Sequence, residues 1–176
     1  FYNATSFRGG SGYSIFSLKP TGSLYETFRN SGIDLLKLGK PTSSSGALSK
    51  WDVSEITIFN NCFYDAGDFT GEGLGDWDVS SATSMSSMFY NCTSLVDCYW
   101  DATGTTLNSW GDKTQNVTTM SQMFYNCEQF TCDLSSWDVS AVTDMTQLFK
   151  DKTTFNETIG NWDVSSVNNM FEMFYN

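Results

Sequence analysis

Apolar residues recur along this chain at fixed distances from a repeated tetrapeptide. Trp-Asp-Val-Ser begins at Trp51, Trp77, Trp137 and Trp162, and Trp110 opens a variant followed by Gly111 and Asp112. Successive tryptophans lie 26, 33, 27 and 25 residues apart. Three residues before each stands Leu48, Leu74, Leu107, Leu134 or Ile159. Eight after the regular tryptophans come Phe59, Met85, Met145 and Met170, and eleven after come Cys62, Met88, Leu148 and Met173. Twelve after is always phenylalanine: Phe63, Phe89, Phe149, Phe174. The Trp110 copy carries a two-residue insertion and rejoins at Met120, Met123 and Phe124. All 7 methionines fall on these two repeat positions, a register that composition alone does not produce.

The pattern predicts two elements per copy. Leu-x-x-Trp-Asp-Val has the spacing of leucine-rich repeats, so Trp and Val point inward from a short strand and Asp points out. The apolar positions that follow are three to four apart, as in Val142, Met145, Leu148 and Phe149. That predicts a short helix, with Ser140 placed to cap it. One copy cannot bury its apolar ladder alone, whereas stacked copies can. The expected fold class is therefore an α/β repeat solenoid, leucine-rich-repeat-like, with short parallel strands on one side and short helices on the other. Trp51, Trp77, Trp110, Trp137 and Trp162 should form one internal column, and Phe89, Phe124, Phe149 and Phe174 another.

The whole of 1–176 reads as a single domain. Residues 1–7 look like the end of a truncated repeat, since Phe1 and Phe7 are six apart. Residues 8–47 hold an insertion and a degenerate copy with Phe16, Leu18, Leu24 and Phe28. Residues 48–176 hold five repeats, the last truncated.

These residues resemble a known family. Phe-Tyr-Asn-Ala-Thr-Ser-Phe at 1–7, Trp-Asp-Val-Ser-Ser-Ala-Thr-Ser-Met-Ser-Ser-Met-Phe-Tyr-Asn-Cys at 77–92 and Trp-Asp-Val-Ser-Ser-Val-Asn-Asn-Met at 162–170 are similar to the BspA-like surface-protein repeat. The resemblance implies a secreted or cell-surface location, adhesion and no catalysis. It supplies no catalytic residues.

Charge narrows the partners. Asp and Glu number 20 against 9 Lys and Arg, a net charge of −11. Such a surface repels nucleic acid and anionic lipid, which need basic patches. Histidine is absent, which removes the commonest acid–base group and zinc ligand. No apolar run approaches the roughly 20 residues needed to span a membrane. The chain opens with Phe1 rather than Met and reads as a mature or excerpted piece.

Asp52, Asp78, Asp138 and Asp163 recur at the outward strand position. Stacked about 4.8 Å apart, they would repel unless a cation or hydrogen bonds intervene. A calcium ladder is one reading, and calcium is the one cofactor the sequence proposes. The other is local hydrogen bonding to turn backbone and Ser or Thr hydroxyls. Gly111 interrupts the row. Paired carboxylates also occur in glycoside hydrolases, but the repeat accounts for these without an active site.

Of five cysteines, Cys92 and Cys127 share one repeat position, and Cys98 and Cys132 are nearly equivalent. Cross-copy disulfides Cys92–Cys127 and Cys98–Cys132 are expected in an oxidising compartment, with Cys62–Cys92 competing and buried free thiols as the alternative. Sequons occur at Asn3, Asn91, Asn116 and Asn156, a number that chance accounts for. Asn3 and Asn91 share the turn after the expected helix, where a glycan on a secreted chain would sit. The insertion at 96–106 holds Asp97, Tyr99, Trp100 and Asp101, which either hold a sugar or pack over the edge of the stack. Arg8-Gly-Gly-Ser-Gly-Tyr13 lacks the Gly-Lys-Ser/Thr of a phosphate loop.

Two functions fit this reading. The first is a structural surface protein that forms a stalk or filament by end-to-end stacking, since neither end shows the polar cover a terminal repeat needs. The second is an adhesin that binds a protein or carbohydrate through one face or the inserted loops.

Overall fold

The computed structural model describes residues 19–31, 47–71, 73–96 and 107–176. Phe1, Asn3, Phe7, Phe16, Leu18, Cys98, Tyr99 and Trp100, together with the glycine-rich 8–13 segment, Asp97 and Asp101, lie outside the described residues.

Each copy makes one rung, and the rungs lie side by side in chain order. β1 (Gly22–Ser23) pairs in parallel with β2 (Ile56–Ile58), with Ser23 opposite Ile58. From there single parallel bridges run Ile58 to Ser84, Ser84 to Thr119, Thr119 to Asp144 and Asp144 to Asn169. Every bridging residue after β2 stands at the same repeat position, seven past the tryptophan in the regular copies. The sheet therefore lies downstream of the Trp-Asp-Val segment and not on it, because the Leu-to-Trp stretch is already committed to tight turns. Short 3-10 segments occupy Ala47–Lys50, Leu74–Asp76 and Leu107–Thr114, the last kinked at Gly111 with φ 42°. They sit against one another in sequence order.

The stretch expected to be helical is a chain of turns, and no α-helix occurs among the described residues. In the second rung, Cys62, Tyr64 and Ala66 donate their N–H groups to Phe59, Asn61 and Phe63 carbonyls at 3.1, 3.1 and 3.0 Å. The intervening Phe59, Asn61, Phe63 and Asp65 donate to Ser84, Ser86, Met88 and Tyr90 of the next rung at 2.9, 3.0, 2.9 and 2.8 Å. Half the N–H groups thus close turns and half join rungs. A helix would spend them all internally and leave the neighbour unpaired. The price is a left-handed residue at two positions in each rung, only the first of which the last rung has. Asn61, Ser87, Gln122, Gln147 and Glu172 have φ of 55°, 54°, 58°, 54° and 53°, and Asp65, Asn91, Asn126 and Asp151 have 56°, 57°, 51° and 58°. Asn and Asp suit the second set because they tolerate this region best after glycine.

The core is a set of columns. Phe28, Phe63, Phe89, Phe124, Phe149 and Phe174 stack in order, with ring centres 5.1, 5.6, 5.6, 5.7 and 5.9 Å apart. The methionines at 85, 88, 120, 123 and 145 are fully buried beside them. Trp77 and Trp110 are fully buried and Trp137 nearly so, while Trp51 and Trp162, at either end of the column, are half-buried. Trp110 and Trp137 stack at 5.5 Å. Each indole also reaches back one rung: Nε1 of Trp77, Trp110, Trp137 and Trp162 donates to the carbonyl of Leu48, Leu74, Leu107 and Leu134 at 2.8, 2.8, 2.8 and 3.0 Å. Phe174 departs from its expected core role. It stacks on Phe149, but its outer face is uncovered and it is 48% exposed.

Candidate assembly interface

The outward aspartates are held locally. Asp52 accepts from the Ser54 N–H at 3.2 Å and hydroxyl at 2.6 Å, and Asp138 likewise from Ser140 at 3.0 and 2.6 Å. Asp78 and Asp163 accept from the N–H of Ser80 and Ser165 at 3.1 and 3.0 Å. These are Asx turns, in which the carboxylate closes the bend after Val. The same bonds, led by the serine hydroxyl, hold Asp52, Asp138 and Asp163 below the usual carboxylate pKa. Among the described residues no three acidic or thiol side chains gather to hold a metal ion.

The expected Cys92–Cys127 bridge is not formed: Cys62, Cys92 and Cys127 are buried free thiols, and Cys132 is buried as well. Cys92 and Cys127 do occupy neighbouring rungs, but each Sγ donates to a carbonyl one rung back, Phe63 and Phe89, both at 3.0 Å. Those bonds satisfy both thiols without a disulfide. Burial pushes the Cys127 thiol up to about 12 and raises Cys62 and Cys92 further from the thiolate. The expected partner of Cys132, Cys98, lies outside the described residues.

Of the sequons, Asn91 is part of an amide ladder: its Nδ2 donates to Asp65 at 2.9 Å and its Oδ1 accepts from Asn126 at 2.6 Å. A glycan would have to grow from the nitrogen that holds this contact. Asn116 is exposed and donates to the Ser80 carbonyl at 2.8 Å, and Asn156 is exposed.

Several features were not singled out from the sequence. Tyr64, Tyr90 and Tyr125 form a part-exposed stack at 4.4 and 4.3 Å, one residue past the phenylalanine column. Arg29 lies over Tyr64 at 4.6 Å and Lys150 over Tyr175 at 4.8 Å, so cations occupy the same column. Recurrence of tyrosine after Phe was the available signal. The residues Ser87, Gln122, Gln147 and Glu172 form a second ladder, at 3.2, 2.6 and 2.8 Å. Lys152 stands in the Cys92–Cys127 column. It is buried, donates to the Phe130 carbonyl at 2.6 Å and pairs with buried Glu157 at 3.2 Å.

The last rung differs from the others. Val164, Met170, Phe171, Phe174 and Tyr175 are 40, 42, 62, 48 and 58% exposed, although the equivalent positions of inner rungs are buried, part-buried or polar. The N–H groups of Met170, Glu172 and Phe174 have no partner among the described residues, whereas their counterparts Met145, Gln147 and Phe149 donate to Asn169, Phe171 and Met173 at 2.8, 2.8 and 2.9 Å. Among the described residues no further rung covers its outer face.

A column-stacked repeat of this kind is matched by the family described as "Mycoplasma protein of unknown function, DUF285", over residues 38–103 and 97–176, and the chain belongs to that family. No curated protein and no solved structure matches the chain. No helix among the described residues is long and apolar enough to cross a membrane.

Proposed function

We propose that this chain is an extracellular structural repeat protein of the BspA-like surface type, a leucine-rich-repeat-like solenoid that serves as a segment of a longer stalk or filament and has no catalytic role. The observation that carries the reading is the uniform rung-to-rung contact: Phe28, Phe63, Phe89, Phe124, Phe149 and Phe174 stack at 5.1 to 5.9 Å in one column, so each copy presents to the next the same surface it receives. Negative-stain imaging of the purified chain over a range of concentrations tests the reading. Uniform threads that lengthen with concentration are expected; single short rods at every concentration would overturn it.

A further inference from the structure

We infer that Tyr64, Tyr90 and Tyr125 form an oxidative cross-linking site, where a peroxide-driven one-electron oxidant couples adjacent rings and ties neighbouring rungs of one chain through a dityrosine bond. The coupling lies within the stack and holds whether or not chains assemble end to end.

The repeat brings the three phenols together. They stand one residue past the phenylalanine column in consecutive rungs and are part-exposed, so an oxidant in solution reaches them. Tyr64 and Tyr90 lie parallel to within 2° at 4.4 Å, and Tyr90 and Tyr125 to within 15° at 4.3 Å. Cations take the same position on either side: Arg29 lies over Tyr64 at 4.6 Å, and Lys150 stands one rung on from Tyr125. The tyrosines are therefore a group of three, with Tyr90 next to both others.

Their separation suits the product. Two phenoxyl radicals couple from a face-to-face pair, and holding the rings in contact makes that encounter local. Rings joined ortho carbon to ortho carbon have centres one carbon–carbon bond plus two ring radii apart, close to the separation already present. Coupling turns the rings edge to edge and leaves their centres in place. Cys92 and Cys127 put no sulfur bridge between these rungs. A biaryl bond would supply the covalent tie and, like a disulfide, would restrict the unfolded chain.

The protons are accounted for. Burial raises the pKa of Tyr64 and Tyr90, and a hydrogen bond to Asp151 raises that of Tyr125, so all three are phenols near neutral pH. Each loses its hydroxyl proton with the electron, and the Asp151 carboxylate is placed to take the one from Tyr125. Two tyrosines give up two electrons and two protons, and one carbon–carbon bond forms. The hydrogen on each joined carbon then moves as a proton to its own ring's oxygen. Hydrogen peroxide takes the two electrons and two protons and becomes two waters.

Treatment of the purified chain with a haem peroxidase and dilute hydrogen peroxide tests the site. Monomer isolated after the reaction is digested at Asp and Glu and mapped by mass spectrometry. A peptide pair joining Tyr90 to Tyr64 or to Tyr125, two hydrogens lighter than the separate peptides, is expected. Tyr90→Phe keeps the stacked ring, with the fold checked by circular dichroism, and should abolish both links. Tyr175→Phe should leave them unchanged. Links found only between chains, or only among other tyrosines, would overturn the inference. So would a complete lack of dityrosine under conditions that couple free N-acetyltyrosine.

Discussion

The indole Nε1 of Trp137 donates to the carbonyl of Leu107 at 2.8 Å, one rung back and fully buried. The bond explains why the repeat uses tryptophan where another large apolar residue would fill the same space. Trp137→Phe keeps most of the volume and strands that carbonyl's second acceptor site. A loss of about 1–3 kcal/mol is expected in urea unfolding. Trp162→Phe should lose less, since its bond is longer at 3.0 Å and it is only half-buried.

Phe124 sits between Phe89 and Phe149 at 5.6 and 5.7 Å and is fully buried. Phe124→Ala should destabilise by about 3–5 kcal/mol, the range for a buried phenylalanine. Phe174→Ala, made at the same repeat position, should cost far less in dilute solution because its outer face is already wet. Equal losses in the two unfolding curves would show that the column does not set the energetics.

Asn126 has φ 51° and donates to Asn91 at 2.6 Å. Asn126→Ala removes the ladder bond and keeps the left-handed strain, whereas Asn126→Gly removes only the bond. The glycine variant should be the more stable of the two by about 1–2 kcal/mol. Thermal unfolding of the pair measures the difference.

Lys152 and Glu157 are a buried ion pair in a position that other rungs fill with Ala66, Cys92 or Cys127. Glu157→Gln leaves the ammonium buried without its counter-charge, and a loss of about 3–5 kcal/mol is expected. The double substitution Lys152→Met with Glu157→Leu should be much milder, because no charge is then left unpaired. Denaturant midpoints of the three proteins decide it.

Burial holds the Cys127 thiol near 12, so its thiolate is scarce in the folded chain until well above neutral pH. Alkylation of native protein by iodoacetamide should leave Cys62, Cys92 and Cys127 unmodified from pH 7 to about 9, with labelling appearing once denaturant is added. Because the folded pKa is raised above the unfolded one near 8.5, these thiols favour unfolding as pH rises past that unfolded value. Labelling of Cys127 in the native chain at pH 7, or a mass two hydrogens short, would contradict the free-thiol state.

The repeat register was readable in the residues, because equal spacing puts equal side chains at equal places once rungs stack. Trp77, Phe89 and Phe124 were assigned to the core on that ground and are buried. The turns were not readable. Apolar spacing of three to four fits a helix, and it equally fits consecutive turns that each advance by two residues. What separates them is where the N–H groups go, and half of these go to another rung. The sequence by itself determined which side chains share a column. Only the tertiary structure decided the rest: that Gln147 and Ser87 adopt left-handed backbone, that Cys92 and Cys127 donate to carbonyls instead of joining, and that Lys152 is buried against Glu157. The left-handed turns and the thiol bonds depend on groups more than twenty residues away, as does Lys152 through its bond to the Phe130 carbonyl, and such partners exist only once the rungs have come together.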